Sequence, residues 1–175
     1  MQEEHWPDKV CYGCGPSNAK GLHVRSFVVR DAVPRMDIAT IEASSADGTA
    51  EVLYTECCFT PEPHHAALPG VLNGGIIASV FDCHCNITAA HCLMRIAGGS
   101  SLPHMTVTAD LRVQFKAPTP MKPLRFCAVV RRDDIVAKSR RVVVHGYVHE
   151  DGVDPATAVK TSLFQGTFVA LKERS

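Results

Sequence analysis

The chain has 175 residues, enough for one domain that buries about two-thirds of the surface its unfolded form would expose, so no disulfide framework is needed to hold it. Lys plus Arg is 18 and Asp plus Glu is 18, a formal net charge of zero with the nine His neutral, which removes the basic excess that nonspecific nucleic-acid binding requires. Hydrophobic residues are 46% and charged residues 21%, proportions that exclude intrinsic disorder and fibrous repeats.

Residues 1 to 22 are rich in Gly, Pro, Asn and Cys without a period, and read as an irregular N-terminal arm; residues 23 to 175 read as a single domain. Met1 to Pro7 has neither the basic start nor the apolar stretch of a signal peptide. The eight Cys are therefore expected in a reducing, cytoplasmic setting, most of them as small buried hydrophobes. No run of 18 apolar residues occurs, so no membrane span is expected.

His23 to Arg30, Met36 to Ala43 and Thr49 to Cys57 alternate or are β-branched and are separated by turn residues, which predicts strands in hairpins. Pro61 through Gly70 contains three prolines, each fixing φ and removing a donor, and predicts a loop. Gly74 to Ala97 has no Pro and ends at Gly98-Gly99, which predicts one helix of about six turns. Its apolar residues cover most of the circumference, so it is expected to be buried. Val107 to Phe115 has a two-residue period, and further strands follow at Leu124 to Arg132, Arg140 to His149 and Ser162 to Leu171. Strands, one long buried helix, then strands is the order of an α+β fold in which an antiparallel sheet wraps around one central helix.

Cys11-Tyr12-Gly13-Cys14 has the spacing of half a zinc site, but no second pair of that kind follows. A Gly-bent structural turn without metal is expected there. No phosphate loop, dinucleotide fingerprint or nucleophile elbow can be written. Cys83 and His84 point about 100° apart on a helix, which prevents a direct thiol and imidazole pair and leaves packed Cys and a hydrogen-bonded His. Asp82 is different, because a carboxylate early in a buried helix is costly unless paired or used. A bond to backbone, Arg95 or Arg112 and a catalytic role are both open. Asn73-Gly74-Gly75 begins the helix, where unsatisfied N–H groups and the dipole stabilise negative charge; Asn73 in a capping role is the simpler alternative.

The stretch His65-Ala66-Ala67-Leu68-Pro69-Gly70-Val71-Leu72-Asn73-Gly74-Gly75-Ile76-Ile77-Ala78-Ser79-Val80-Phe81-Asp82 resembles the hotdog-fold thioesterases, in their phenylacetyl-CoA thioesterase-like (PaaI-like) branch. Cys11-Tyr12-Gly13-Cys14-Gly15, Asn18, Gly21-Leu22 and Asp82-Cys83-His84 are similar to one subgroup of that branch. The resemblance runs from the arm to Phe115-Lys116-Ala117-Pro118. It implies an acyl-CoA thioesterase with the hotdog fold and no cofactor or metal. Asp82 would be nucleophile or general base, the Gly74 N–H would hold the thioester oxygen, and Thr108 would hold water. Asn73 stands where many relatives carry His, and His65 is the candidate for a polar loop group.

Gly74 and Asp82 are eight residues apart, about 12 Å along a helix, too far to engage one carbonyl. Two antiparallel helices would bring Gly74 of one chain to Asp82 of another, which predicts a homo-oligomer, a dimer or dimer of dimers, with shared sites. The acyl-CoA substrate would also touch Gly75, and its phosphates would meet Arg131, Lys138 and Arg140 in the basic cluster that includes Arg132 and Arg141. A solvated basic turn offset by Asp133 and Asp134 is the alternative. Neither nucleic acid nor membrane is an expected partner. A noncatalytic acyl-binding protein and an enoyl-CoA hydratase are the rival functions.

Overall fold

The computed structural model describes residues 8–33, 50–97, 105–136 and 140–171. A sheet of antiparallel strands carries the fold: β1 (Phe27–Asp31), β2 (Glu51–Phe59), β6 (Leu124–Arg131), β8 (Arg141–Glu150), β9 (Ser162–Ala170) and β5 (Thr106–Phe115), in that spatial order, with the short β7 (Ile135–Val136) added to β8. Among the described residues one α-helix forms, α1 (Gly74–Ile96), and it lies against β2, β5, β6, β8 and β9. The expected α+β fold, a sheet wrapped around one long helix, is what forms. The expected strand at Met36 to Ala43 lies outside the described residues.

The helix is buried along most of its length, its apolar side chains packed against β2, β5, β6, β8 and β9. In length and hydropathy α1 would suit a membrane span, but 61% of that stretch is buried inside the fold, as in a core helix. Phe81 is fully buried, with its ring 4.8 Å edge-on from Phe126 and 5.1 Å stacked from Phe164. Gly146 on β8 makes that packing possible, since a Cβ there would stand 3.1 Å from the Phe81 ring and 3.0 Å from the Cys127 carbonyl oxygen.

Two stretches differ from expectation. β1 begins at Phe27 rather than His23, because the Leu22 and Val24 N–H groups bond the carbonyls of Tyr12 and Gly13 in the arm instead of a neighbouring strand. The proline-rich loop contains a single 3-10 turn at Pro63–His65, followed by the hairpin β3 (Ala66–Leu68) and β4 (Val71–Leu72). Pro at the start of a helical turn lacks a donor that would be unused anyway. Gly70, with φ of 77°, turns the hairpin.

A polar cluster is sealed beneath the helix. Thr88 Oγ1 donates to the His84 carbonyl at 2.9 Å and meets Thr55 Oγ1 of β2 at 2.6 Å; all three residues are fully buried. With the Thr88 proton committed to His84, Thr55 is the donor in the second bond. Thr88→Val therefore strands the Thr55 hydroxyl and is expected to cost about 1–3 kcal/mol. Thr55→Val removes only a donor and is expected to cost less, an order that denaturant midpoints at unchanged m-value would establish.

Candidate active site

Asn73 caps α1: its Oδ1 accepts the Gly75 N–H at 2.7 Å, with backbone angles of −64° and 132°. The capping alternative is thus realised, and the Gly75 N–H, expected to face substrate, is taken by it. Among the described residues no acceptor takes the Gly74 N–H. Gly74 instead opens on a cavity of about 440 Å³ with Phe115 and Lys116 in its wall. Lys116 had no sequence signal beyond its place at a strand end.

His65 lies inside the preceding turn. Its Nδ1 accepts the Glu62 N–H at 3.0 Å, its ring tilts against Phe59 at 5.5 Å, and its carbonyl accepts the Asn73 N–H at 2.9 Å. Burial, reinforced by neighbouring His64, lowers its pKa and keeps the ring neutral. With Nδ1 accepting, the ring proton sits on Nε2. His65 therefore fixes the cap through the backbone.

Asp82 stands two turns further along α1, half-buried, and its Oδ1 accepts a 2.6 Å hydrogen bond from Thr108 Oγ1 of β5. No cation pairs with it among the described residues: Arg95 is bound to Asp31 at 2.9 Å, and Arg112 lines a different cavity. Asn86, one turn beyond, repeats the motif, with its Oδ1 accepting from Thr106 Oγ1 at 2.7 Å and its Nδ2 donating to the Thr106 carbonyl at 3.2 Å. Gly75, Ser79, Asp82 and Asn86 thus form one incompletely buried stripe of α1, and His91 and Arg95 form another on the opposite face. The first stripe's spacing of four, three and four residues is the signal that could have disclosed Ser79 and Asn86 beforehand.

The Asp82 cavity holds about 180 Å³ and is walled by Asn86, Thr106 and, from the N-terminal arm, Lys9, Cys11 and Cys14. The Gly74 cavity shares none of these residues. Within one chain the helix therefore presents its free amide and its carboxylate to separate openings, as the eight-residue spacing requires.

His84, adjacent to Asp82, points the other way: it is fully buried, with Nδ1 2.8 Å from Ser26 Oγ, and burial lowers its pKa to about 4. Cys83 turns toward the arm, where Cys11 and Cys14 lie. The packed-thiol reading missed this third sulfur, because sequence places it 69 residues beyond Cys14. A hydrogen bond from Cys83, aided by Cys11, Lys9 and Arg25, lowers the Cys14 pKa against the effect of burial and raises that of Cys83.

The predicted phosphate contacts are not gathered at either cavity. Arg131 lines a third one with Arg112 and His145, its N–H bonded to Asp134 Oδ2 at 2.9 Å. Arg140 is exposed and reaches the Leu171 carbonyl at 3.5 Å. Lys138 lies outside the described residues.

One long helix packed against an antiparallel sheet is the hotdog arrangement. The fold is that of the hotdog thioesterase superfamily proteins. The chain is similar to a thioesterase superfamily protein of Shewanella loihica, with 27% identity over 74% of this chain and 96% of that one and a TM-score of 0.51. An acyl-CoA hydrolase of Staphylococcus aureus, solved with butyryl coenzyme A and coenzyme A, matches at 23% identity over 69% of this chain and 66% of that one, TM-score 0.54. A Bacillus halodurans protein solved with CoA matches at 20% identity over 66% of each chain, TM-score 0.52. No protein-family model matches the sequence, and no curated protein matches it significantly.

Proposed function

We propose that the protein is an acyl-CoA thioesterase of the PaaI-like branch, and the observation that carries this is the 2.6 Å bond from Thr108 to an Asp82 without a cation partner among the described residues. That bond orients the carboxylate and leaves Oδ2 available to the reaction. The carboxylate either attacks the thioester carbon and expels the coenzyme A thiolate, giving an anhydride that water opens, or takes a proton from a water whose attack breaks the same C–S bond and releases the thiolate. In both routes charge develops on the carbonyl oxygen, and the Gly74 N–H at the positive end of α1 is suited to stabilise it. The coenzyme A bound in two proteins of this fold supports the same class of substrate. A hydratase needs a second acid or base beside Asp82, and the sealed His84 is poorly disposed to be one.

The complete site takes Gly74 from one protomer and Asp82 from its partner. β5 supports this reading: it ends the sheet, is ten residues long, and exposes Val107, Leu111 and Phe115. Such an edge usually requires cover. Sedimentation is expected to give twice the chain mass or a multiple of it, and Leu111→Asp is expected to shift the protein toward monomer with a parallel loss of turnover. A monomeric wild type that hydrolyses at full rate contradicts the shared site.

Hydrolysis itself is tested with a panel of aromatic, short-chain and long-chain acyl-CoA esters and detection of the released thiol. Binding of the esters without thiol release would make the protein an acyl-CoA binder instead.

A further inference from the structure

The N-terminal arm and α1 bring three sulfurs together that the proposed hydrolysis does not use. Cys11, Cys14 and Cys83 place their Sγ atoms within 4.8 Å of one another, and Cys11 and Cys83 are 3.7 Å apart. Three thiolates on a tetrahedral zinc at about 2.3 Å stand about 3.8 Å from each other, so the trio already has nearly the span of three corners of that polyhedron. The arm is shaped to the helical sulfur. Gly13 packs so closely on Cys83 that a Cβ would lie 2.2 Å from its Sγ, and the Gly15 N–H bonds the Cys11 carbonyl at 2.9 Å, closing the turn that aims both arm cysteines inward.

Ordinary packing explains this trio less well than it explains the other cysteines. Cys57, Cys85 and Cys92 are buried, where a thiol behaves as a small hydrophobe, and the buried Cys127 accepts the Tyr54 hydroxyl. Cys11 is exposed, Cys14 is half-buried, and all three of the trio line the wall of the cavity beside Asp82. That opening offers an entry path and room for a fourth ligand.

We propose that Cys11, Cys14 and Cys83 bind one zinc ion, which fastens the arm to α1 and keeps its fourth position toward the cavity. This reverses the expectation of a metal-free turn and is independent of the thioesterase reading. Binding displaces the thiol protons and leaves a zinc trithiolate of net charge −1, and the cationic Lys9 and Arg25 near Cys14 offset it. Soft thiolate donors favour zinc over magnesium or calcium.

The test uses the full chain, purified, reduced and stripped of metal, then titrated with zinc or with cobalt as its spectroscopic substitute. One equivalent per chain is expected, and the cobalt form is expected to show thiolate charge-transfer bands with tetrahedral ligand-field bands. Cys11→Ser, at an exposed position that leaves the core untouched, is expected to weaken zinc by about 100-fold or more. Cys83→Ser is expected to do the same, and Cys58→Ser, at an exposed cysteine outside the trio, should bind as wild type does. Failure of the reduced protein to take up zinc overturns the proposal. So does uptake that Cys11→Ser leaves unchanged, or a disulfide within the trio that forms in preference to the zinc complex.

Discussion

Asp82→Asn is expected to lower thioester turnover by on the order of 10²–10⁴-fold with little change in substrate binding. The substitution keeps the shape of the side chain, and the Asn carbonyl oxygen can still accept the Thr108 hydroxyl that holds Oδ1 now. What disappears is the negative charge, which serves as nucleophile in one route and as base in the other. The same change is expected to leave stability within about 0.5 kcal/mol, because the residue is half-buried and no cation pairs with it among the described residues. A large fall in Tm with unimpaired hydrolysis per folded molecule would move Asp82 out of the catalytic machinery.

Gly74→Pro is the second large effect, expected to cost on the order of 10²–10³ in kcat through loss of a single backbone donor. Proline is favoured at the first position of a helix, where its missing N–H breaks no internal bond. It also requires an extended residue before it, and Asn73 already has that conformation, at φ −64° and ψ 132°. The helix should therefore form as before while the amide that faces the thioester oxygen is removed. Gly74→Ala is the control: its Cβ meets the exposed Phe115 ring at 3.1 Å, as the proline ring also would, but the N–H remains. An alanine variant as impaired as the proline variant would assign the loss to crowding by Phe115 instead.

The helix and the later strands were legible in the sequence because their signals are local. The proline-free run from Gly74 fixed the start of α1 at its first residue, and the two-residue period of Val107 to Phe115 placed β5 within one residue. β1 was set four residues early because Leu22 and Val24 have strand-like side chains but spend their N–H groups on the arm, a long-range bond that no pattern encodes. The site divided in the same way. Asp82 stood out as a carboxylate in an apolar helix, and Thr108 came from the resemblance; their meeting depends on how β5 lies against α1. Arg131 and Arg140, close in sequence, do not line the cavities that Gly74 and Asp82 open on within one chain. Cys83 was passed over as a ligand for the converse reason: its partners are far in sequence and near in space.

The central claim is that each active site joins Gly74 of one protomer to Asp82 of the other, and heterodimers made by co-expressing Asp82→Asn and Gly74→Pro chains under separate affinity tags test it most directly. In such a dimer one site pairs the intact Gly74 of the first chain with the intact Asp82 of the second, while the other site carries both defects. The purified heterodimer is expected to recover about half the wild-type turnover per dimer, although each homodimer is nearly inactive. A heterodimer as inactive as its two parents would place Gly74 and Asp82 in the same chain's site and contradict the account.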